Sequence, residues 1–334
     1  MKFLLAEALA GMEFVAPQVS AAASQYEQKY QLILKRFQKR FRVPVLSAVF
    51  SDGNKSLPYC DGATEQTVFP LASVTKVFTA TYMLILAERH KLSLKDSICK
   101  YFEQLPDSFE KISLLNLITH TSGLALSGGN AQHRAAYLSS LSNRGLRFIP
   151  GEKMEYNNPA YVLLGWIAEK ITGQSLSEGV DREIFQPLDM KNTSFPKNGF
   201  TAYEPGYKRI KNQLVPASTD LEFQTMGGTA GAVSCVSDMT LFASGLLSNK
   251  LLDTSSLSRM FEPMTLNSGR LSGTAFCWQI GKDYESKVFH KNGNIEGFST
   301  WFAIDPINKA SLVVLSNLGG LSFEDISREA FNLT

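Results

Sequence analysis

Between Gln25 and Phe41, apolar side chains recur at Tyr26, Tyr30, Ile33, Leu34, Phe37 and Phe41, with Lys and Gln filling the positions between them. That spacing predicts one amphipathic helix. Pro44 introduces the apolar run 45–50, followed by Ser51-Asp52-Gly53-Asn54 and a second short run, which is the pattern of a β-hairpin. From Val74 to His90 the chain is apolar almost throughout and rich in Ala, Leu and Met, so this stretch reads as a buried helix.

From Leu92 to Phe195 the signals are mostly helical, punctuated by Pro106, Pro150 and Pro187 and by loop glycines at 123, 128, 129 and 145. After Gly273 the pattern changes to short strand-like runs at 276–280, 288–290, 298–304 and 312–316, with Asn292-Gly293 and Asp305-Pro306 supplying turns. Strands at both ends of the chain around a helical middle predict an α+β fold: an antiparallel sheet built from both termini, flanked by helices, with an inserted helical lobe. The expected division is a sheet lobe over 24–91 and 200–334 and a helical lobe over 92–199. No internal repeat or low-complexity tract interrupts it.

Composition narrows the function classes. With 334 residues, 44% hydrophobic and 19% charged, the chain is long enough for a large core and is neither fibrous nor disordered. Its formal net charge of +2 gives no electrostatic footprint for a nucleic acid. The one basic cluster, Lys35-Arg36, Lys39-Arg40 and Arg42, has the spacing of a solvated helix face. The four cysteines, Cys60, Cys99, Cys235 and Cys277, form no CxxC pair, so a zinc site is not expected and buried free thiols are. Lys2, the apolar stretch 3–15 and Ala21-Ala22-Ala23 have the layout of a secretory signal over 1–23, although Glu7 and Glu13 interrupt it as they would an amphipathic helix. Export to a periplasm or outside the cell is the expectation. No later segment reaches the roughly 18 apolar residues of a membrane span.

A serine hydroxyl is a weak nucleophile unless a base within hydrogen-bond reach takes its proton. On a helix, a lysine three residues on meets that need. Ser73-Val74-Thr75-Lys76 has the spacing, at a helix start that also favours developing negative charge. The same S-x-x-K spacing occurs four times, at Ser73, Ser97, Ser108 and Ser194. Ser194-Phe195-Pro196-Lys197 carries a proline, and Ser97 and Ser108 lie in polar stretches. Only Ser73 opens a long apolar helix able to bury its lysine and lower its pKa. Its alternative role is a plain helix cap.

The segment Pro150-Gly151-Glu152-Lys153-Met154-Glu155-Tyr156-Asn157-Asn158-Pro159 resembles the Y-x-N element of class C β-lactamases and their relatives, the penicillin-binding D-alanyl-D-alanine peptidases and family VIII carboxylesterases. Thr119-His120-Thr121-Ser122-Gly123-Leu124 is similar to a recurrent loop of that group, and His290-Lys291-Asn292-Gly293 resembles its K-T-G strand with asparagine in place of threonine. The likeness runs from about Tyr26 to about Ile326. It implies a serine β-lactamase and penicillin-binding transpeptidase-like fold with the site between sheet and helical lobe.

The resemblance also implies roles. Ser73 is the acylated nucleophile and Lys76 its base. Tyr156, between two ammonium groups, is expected to have a lowered pKa and to shuttle a proton, while Asn158 orients the lysine and the substrate carbonyl. Lys291 holds a substrate carboxylate and Asn292 can donate to it. Gly293 lets substrate approach the strand edge, and the Asn294 N–H joins that of Ser73 as an oxyanion hole. Neither cofactor nor metal is required. The implied substrate is a small molecule or peptide carrying a carboxylate, such as a β-lactam or a D-alanyl peptide, handled by a monomer; the alternatives are a carboxylesterase of the same fold and a penicillin-binding sensor without turnover. His90, His120, His133 and His290 form no metal-spaced set, and His290 is expected on the opposite face from Lys291. Gly227-Gly228-Thr229-Ala230-Gly231 has neither phosphate-loop spacing and reads as a turn, and no G-x-S-x-G supplies another nucleophile.

Overall fold

A computed structural model describes residues 16–197, 203–218, 221–281 and 288–332, with side chains from residue 25 onward. The signal-like residues 1–15 and the second Asn-Gly pair at 198–199 lie outside the described residues. Residues 16–23 are the first turns of a helix, α1 (Ala16–Phe41), which continues into the predicted amphipathic stretch.

The predicted hairpin forms β1 (Leu46–Ser51) and β2 (Ser56–Asp61). Five strands follow near the C-terminus: β3 (Thr274–Ala275), β4 (Trp278–Ile280), β5 (Phe289–Ile295), β6 (Phe298–Asp305) and β7 (Ala310–Ser316). They join the hairpin in one antiparallel sheet of order β2-β1-β7-β6-β5-β4-β3. The closure between termini is the β1–β7 pair, in register from Leu46 opposite Ser316 to Ser51 opposite Ser311.

Both sheet faces are covered, so β6 and β7 are buried at every position and carry continuous apolar runs rather than alternation. On one face Tyr30 and Leu34 of α1 and Phe323, Ile326 and Ala330 of the C-terminal segment pack against Phe50, Leu312 and Val314. On the other, Val49, Phe302, Ile304, Val313 and Leu315 join a core that continues into the helical residues.

The apolar stretch after Ser73 forms α2 (Thr75–Glu88), in which every residue from Thr75 to Leu86 is buried. A helix apolar on all sides needs neighbours on all sides. It packs against α3 (Asn158–Thr172) and α4 (Phe223–Ala230). α3 begins where the Asn157 side chain caps it, with Pro159 in its first turn, and ends on Gly173 in the left-handed conformation.

Two sequence expectations are corrected here. Asn292-Gly293 supplies no turn but lies inside β5, on a strand as the resemblance to the K-T-G element implies. Ile295 pairs with Phe298, so the reversal is the two-residue loop Glu296-Gly297, with Gly297 at φ +86°. At Gly293 a Cβ would collide with Thr300 Oγ1 and the Leu71 carbonyl oxygen, against which β5 lies. Gly227–Gly231 is likewise no simple turn. Residues to Ala230 belong to α4, which is kinked at Gly227 (φ 42°, ψ −131°).

Candidate active site

Ser73 sits in a tight turn, Ala72–Val74, immediately before α2. Neither that turn nor α2 has a side-chain cap, so the capping role is not the one this hydroxyl plays. The turn is held from both sides. Leu71 N–H donates to the Ala232 carbonyl at 2.9 Å, and Thr300 Oγ1 donates to the Leu71 carbonyl at 2.9 Å. Immediately after this doubly anchored residue Ala72 takes φ +47°, a strained backbone that costs about 1–3 kcal/mol.

Three side chains converge on Ser73. Tyr156 O–H donates to Ser73 Oγ at 2.6 Å, and Lys76 Nζ lies 3.3 Å from the same oxygen while donating to the Thr229 carbonyl at 2.8 Å. Lys291 Nζ stands 4.8 Å from the centre of the Tyr156 ring, and Lys76 Nζ 4.9 Å from it. Lys76 is wholly buried and Lys291 is 1% exposed. At the other three S-x-x-K matches no hydrogen bond joins serine to lysine among the described residues. Ser97 instead accepts from Cys99 N–H, and Lys100 pairs with Asp96.

Burial sets the proton inventory. It drives the Lys76 ammonium well below its ordinary pKa, with the Lys291 charge adding to the effect. Lys291 is pushed down to about 8 by the same cause. Tyr156 moves the other way from expectation: burial pushes it up to about 12, with only its bond to Ser73 opposing. Two flanking ammonium groups were expected to depress the phenol, but the burial that would strengthen their influence also disfavours the charged form of both lysines. Because 39% of Tyr156 remains exposed, water offsets part of that upward pull. The site therefore favours the neutral amine form of Lys76 and keeps the Tyr156 phenol protonated. In the neutral form of Lys76, with one N–H spent on Thr229 and the phenol donating to Ser73, the Ser73 hydroxyl proton faces the Lys76 lone pair.

Residues 32–333 match the family model described as Beta-lactamase. The chain belongs to the Beta-lactamase family. Penicillin-binding protein 4* of Bacillus subtilis (strain 168) is 26% identical over 276 residues, covering 75% of this chain and 61% of that protein. The chain thus spans less than two thirds of the length of this curated relative. A D-amino acid amidase from Ochrobactrum anthropi SV3, solved with L-phenylalanine amide, superposes with TM-score 0.79 at 23% identity, covering 92% of this chain and 98% of the other. A class C β-lactamase superposes with TM-score 0.79 at 21% identity, covering 93% and 96%. At these identities the likeness establishes the fold, a β-lactamase-like arrangement of helices and antiparallel sheet.

Within that family frame some motif residues are placed apart. Asn158 is exposed at the start of α3 and its side chain makes no hydrogen bond among the described residues; the Thr229 carbonyl holds Lys76 in its stead. By register Lys291 lies opposite Phe302 and Asn292 opposite Trp301, so the two side chains occupy opposite faces of β5. His290, as alternation predicts, shares the Asn292 face and stacks on Trp301 with ring centres 4.3 Å apart. The Asn294 side chain accepts from Ser299 Oγ and from Gly320 N–H, while its strand runs beside the Ser73 turn.

Other contributors carry no sequence signal of this chemistry. Thr229 acts through a main-chain oxygen, which any residue type supplies. Asn157, the middle residue of the Y-x-N triplet, is 2% exposed; it caps α3 and donates to the carbonyls of Leu124 and Ala125 at 2.9 and 3.3 Å. All four cysteines are free, with Cys235 and Cys277 buried as expected but Cys60 and Cys99 only half-buried. Among the described residues no group of three His, Cys, Asp or Glu side chains could hold a metal ion, and no helix is long and apolar enough to cross a membrane.

Proposed function

We propose that the chain is a serine hydrolase that forms an acyl-enzyme on Ser73 and acts on substrates with a carboxylate near the scissile bond, β-lactams or D-alanyl peptides. The observation that carries this reading is the double engagement of Ser73 Oγ by a buried amine and a phenol. Lys76 takes the hydroxyl proton as Oγ bonds to the carbonyl carbon. The resulting oxyanion is held by the N–H groups of Ser73 and Asn294. As the C–N bond breaks, the leaving nitrogen receives a proton through the Tyr156 hydroxyl, and Tyr156 recovers it from Lys76. Water, deprotonated by the same pair, then cleaves the ester and restores Ser73.

Lys291 supports the choice of substrate. An ammonium group this deeply buried is retained against its desolvation penalty, and a substrate carboxylate is the charge that offsets it. With Asn292 on the opposite face, Lys291 supplies that attraction without its strand neighbour.

Turnover of a chromogenic cephalosporin, an acylated D-Ala-D-Ala peptide and a short-chain p-nitrophenyl ester, each beside Ser73→Ala, tests the proposal. Cleavage of either carboxylate substrate by the parent chain and none by the variant is the expected result. Cleavage of the ester alone replaces it with an esterase, and labelling by a fluorescent penicillin without turnover replaces it with a sensor.

A further inference from the structure

His120 belongs to none of the residues that deliver protons to Ser73, yet it grips the chain on both sides of Tyr156. Its main-chain carbonyl accepts Glu155 N–H at 2.9 Å, and its Nδ1 accepts Asn157 N–H at 3.1 Å. Between these two bonds the imidazole lies against the phenol, ring centres 4.6 Å apart. The Tyr161 ring stands 5.1 Å from the imidazole, itself tied by its O–H to the Ile118 carbonyl at 2.8 Å. His120 is 2% exposed and held at φ +58°, a left-handed backbone that costs a residue other than glycine about 1–2 kcal/mol.

An imidazole whose Nδ1 accepts a main-chain N–H carries its proton on Nε2. Here Nε2 is buried and has no hydrogen-bond partner among the described residues. A second proton would turn Nδ1 into a donor facing the Asn157 N–H. Burial opposes that second proton, and the neighbouring Lys291 and Lys76 amino groups disfavour it further.

We infer that His120 is a positioning residue for Tyr156: a neutral imidazole, protonated on Nε2, that holds the phenol at Ser73 by fixing the peptide groups before and after it. The placement stands on geometry alone; only its kinetic consequence rests on the proposed acyl-enzyme chemistry. A phenol hydroxyl 2.6 Å from Ser73 Oγ is useful only while that distance is kept, and the two bonds to His120 bracket the residue that carries it.

Two measurements test this. Long-range 15N–1H spectra of the full chain with labelled histidine, at pH 7, should show His120 with a bare Nδ1 and a protonated Nε2. A Nδ1-protonated ring or an imidazolium would overturn the inference whether or not any substrate is turned over. For kinetics, asparagine and glycine both accept a left-handed backbone, and asparagine Oδ1 can replace the Nδ1 acceptor. His120→Gly should lower kcat by about 100-fold with KM changed less than about threefold, and His120→Asn should recover at least about tenfold of that loss. Equal losses in the two variants at equal folded fraction, or a loss confined to KM, would overturn it. If the parent chain cleaves none of the three substrates, the proposed function fails, and the tautomer alone decides the positioning claim.

Discussion

Lys76→Met should lower the rate of Ser73 acylation by about 10⁴-fold, the upper range for loss of a general base, and should at the same time raise the melting temperature. The two effects share one cause. Lys76 is wholly buried, and its ammonium form is disfavoured there by desolvation and by Lys291. Methionine fills a similar volume without a group that must be desolvated or neutralised, so the folded state gains what the site loses. Rapid-quench acylation with a penicillin and thermal denaturation at pH 7 check both halves. A variant that is less stable and equally slow would mean that Lys76 holds the turn rather than the proton.

Lys291 should impose a descending limb near pH 8 on kcat/KM for substrates with a carboxylate, because that is where its buried ammonium loses its charge. A neutral ester should show no such limb, so the comparison reads out Lys291 rather than Lys76. Stability should report the same group in the opposite direction. Below pH 8 the folded and unfolded chains both hold the proton, and the folded state bears the whole desolvation cost. Between about pH 8 and 10 only the unfolded chain holds it, and stability rises with pH. A shift from 10.5 to about 8 corresponds to about 3 kcal/mol. Lys291→Met should therefore exceed the parent in stability by about 3 kcal/mol at pH 7 and by about 1 kcal/mol at pH 10. Denaturant titrations at the two pH values measure the gap. A gap that does not narrow would mean that Lys291 is not desolvated in the folded chain.

Much of this molecule is written in local patterns. The recurrence Tyr26-Tyr30-Leu34-Phe37 marks the buried stripe of α1, and the unbroken apolar run after Ser73 marks a helix with neighbours on every side. That Ser73, Lys76 and Tyr156 come together was legible because a lysine three residues after a serine at a helix start and an isolated Y-x-N are local features. What was not legible depends on partners far along the chain. Asn292-Gly293 has the composition of a turn, and only the pairing of β5 with β6 decides that the reversal comes at Glu296-Gly297. Asn157 and Asn158 are the same residue type side by side; the point at which α3 begins turns one into a buried cap and leaves the other exposed. The direction of the Tyr156 shift could not be read from flanking cations alone, since burial reverses it. Thr229 enters through a carbonyl 153 positions from Lys76, a contact that no side-chain motif encodes.

The central claim is the covalent bond to Ser73. The chain, mixed with excess benzylpenicillin and quenched in acid within seconds, should gain the mass of one penicillin, mapped by proteolysis to the peptide containing Ser73 and absent from Ser73→Ala. An adduct on another residue, or one that persists in Ser73→Ala, would contradict it.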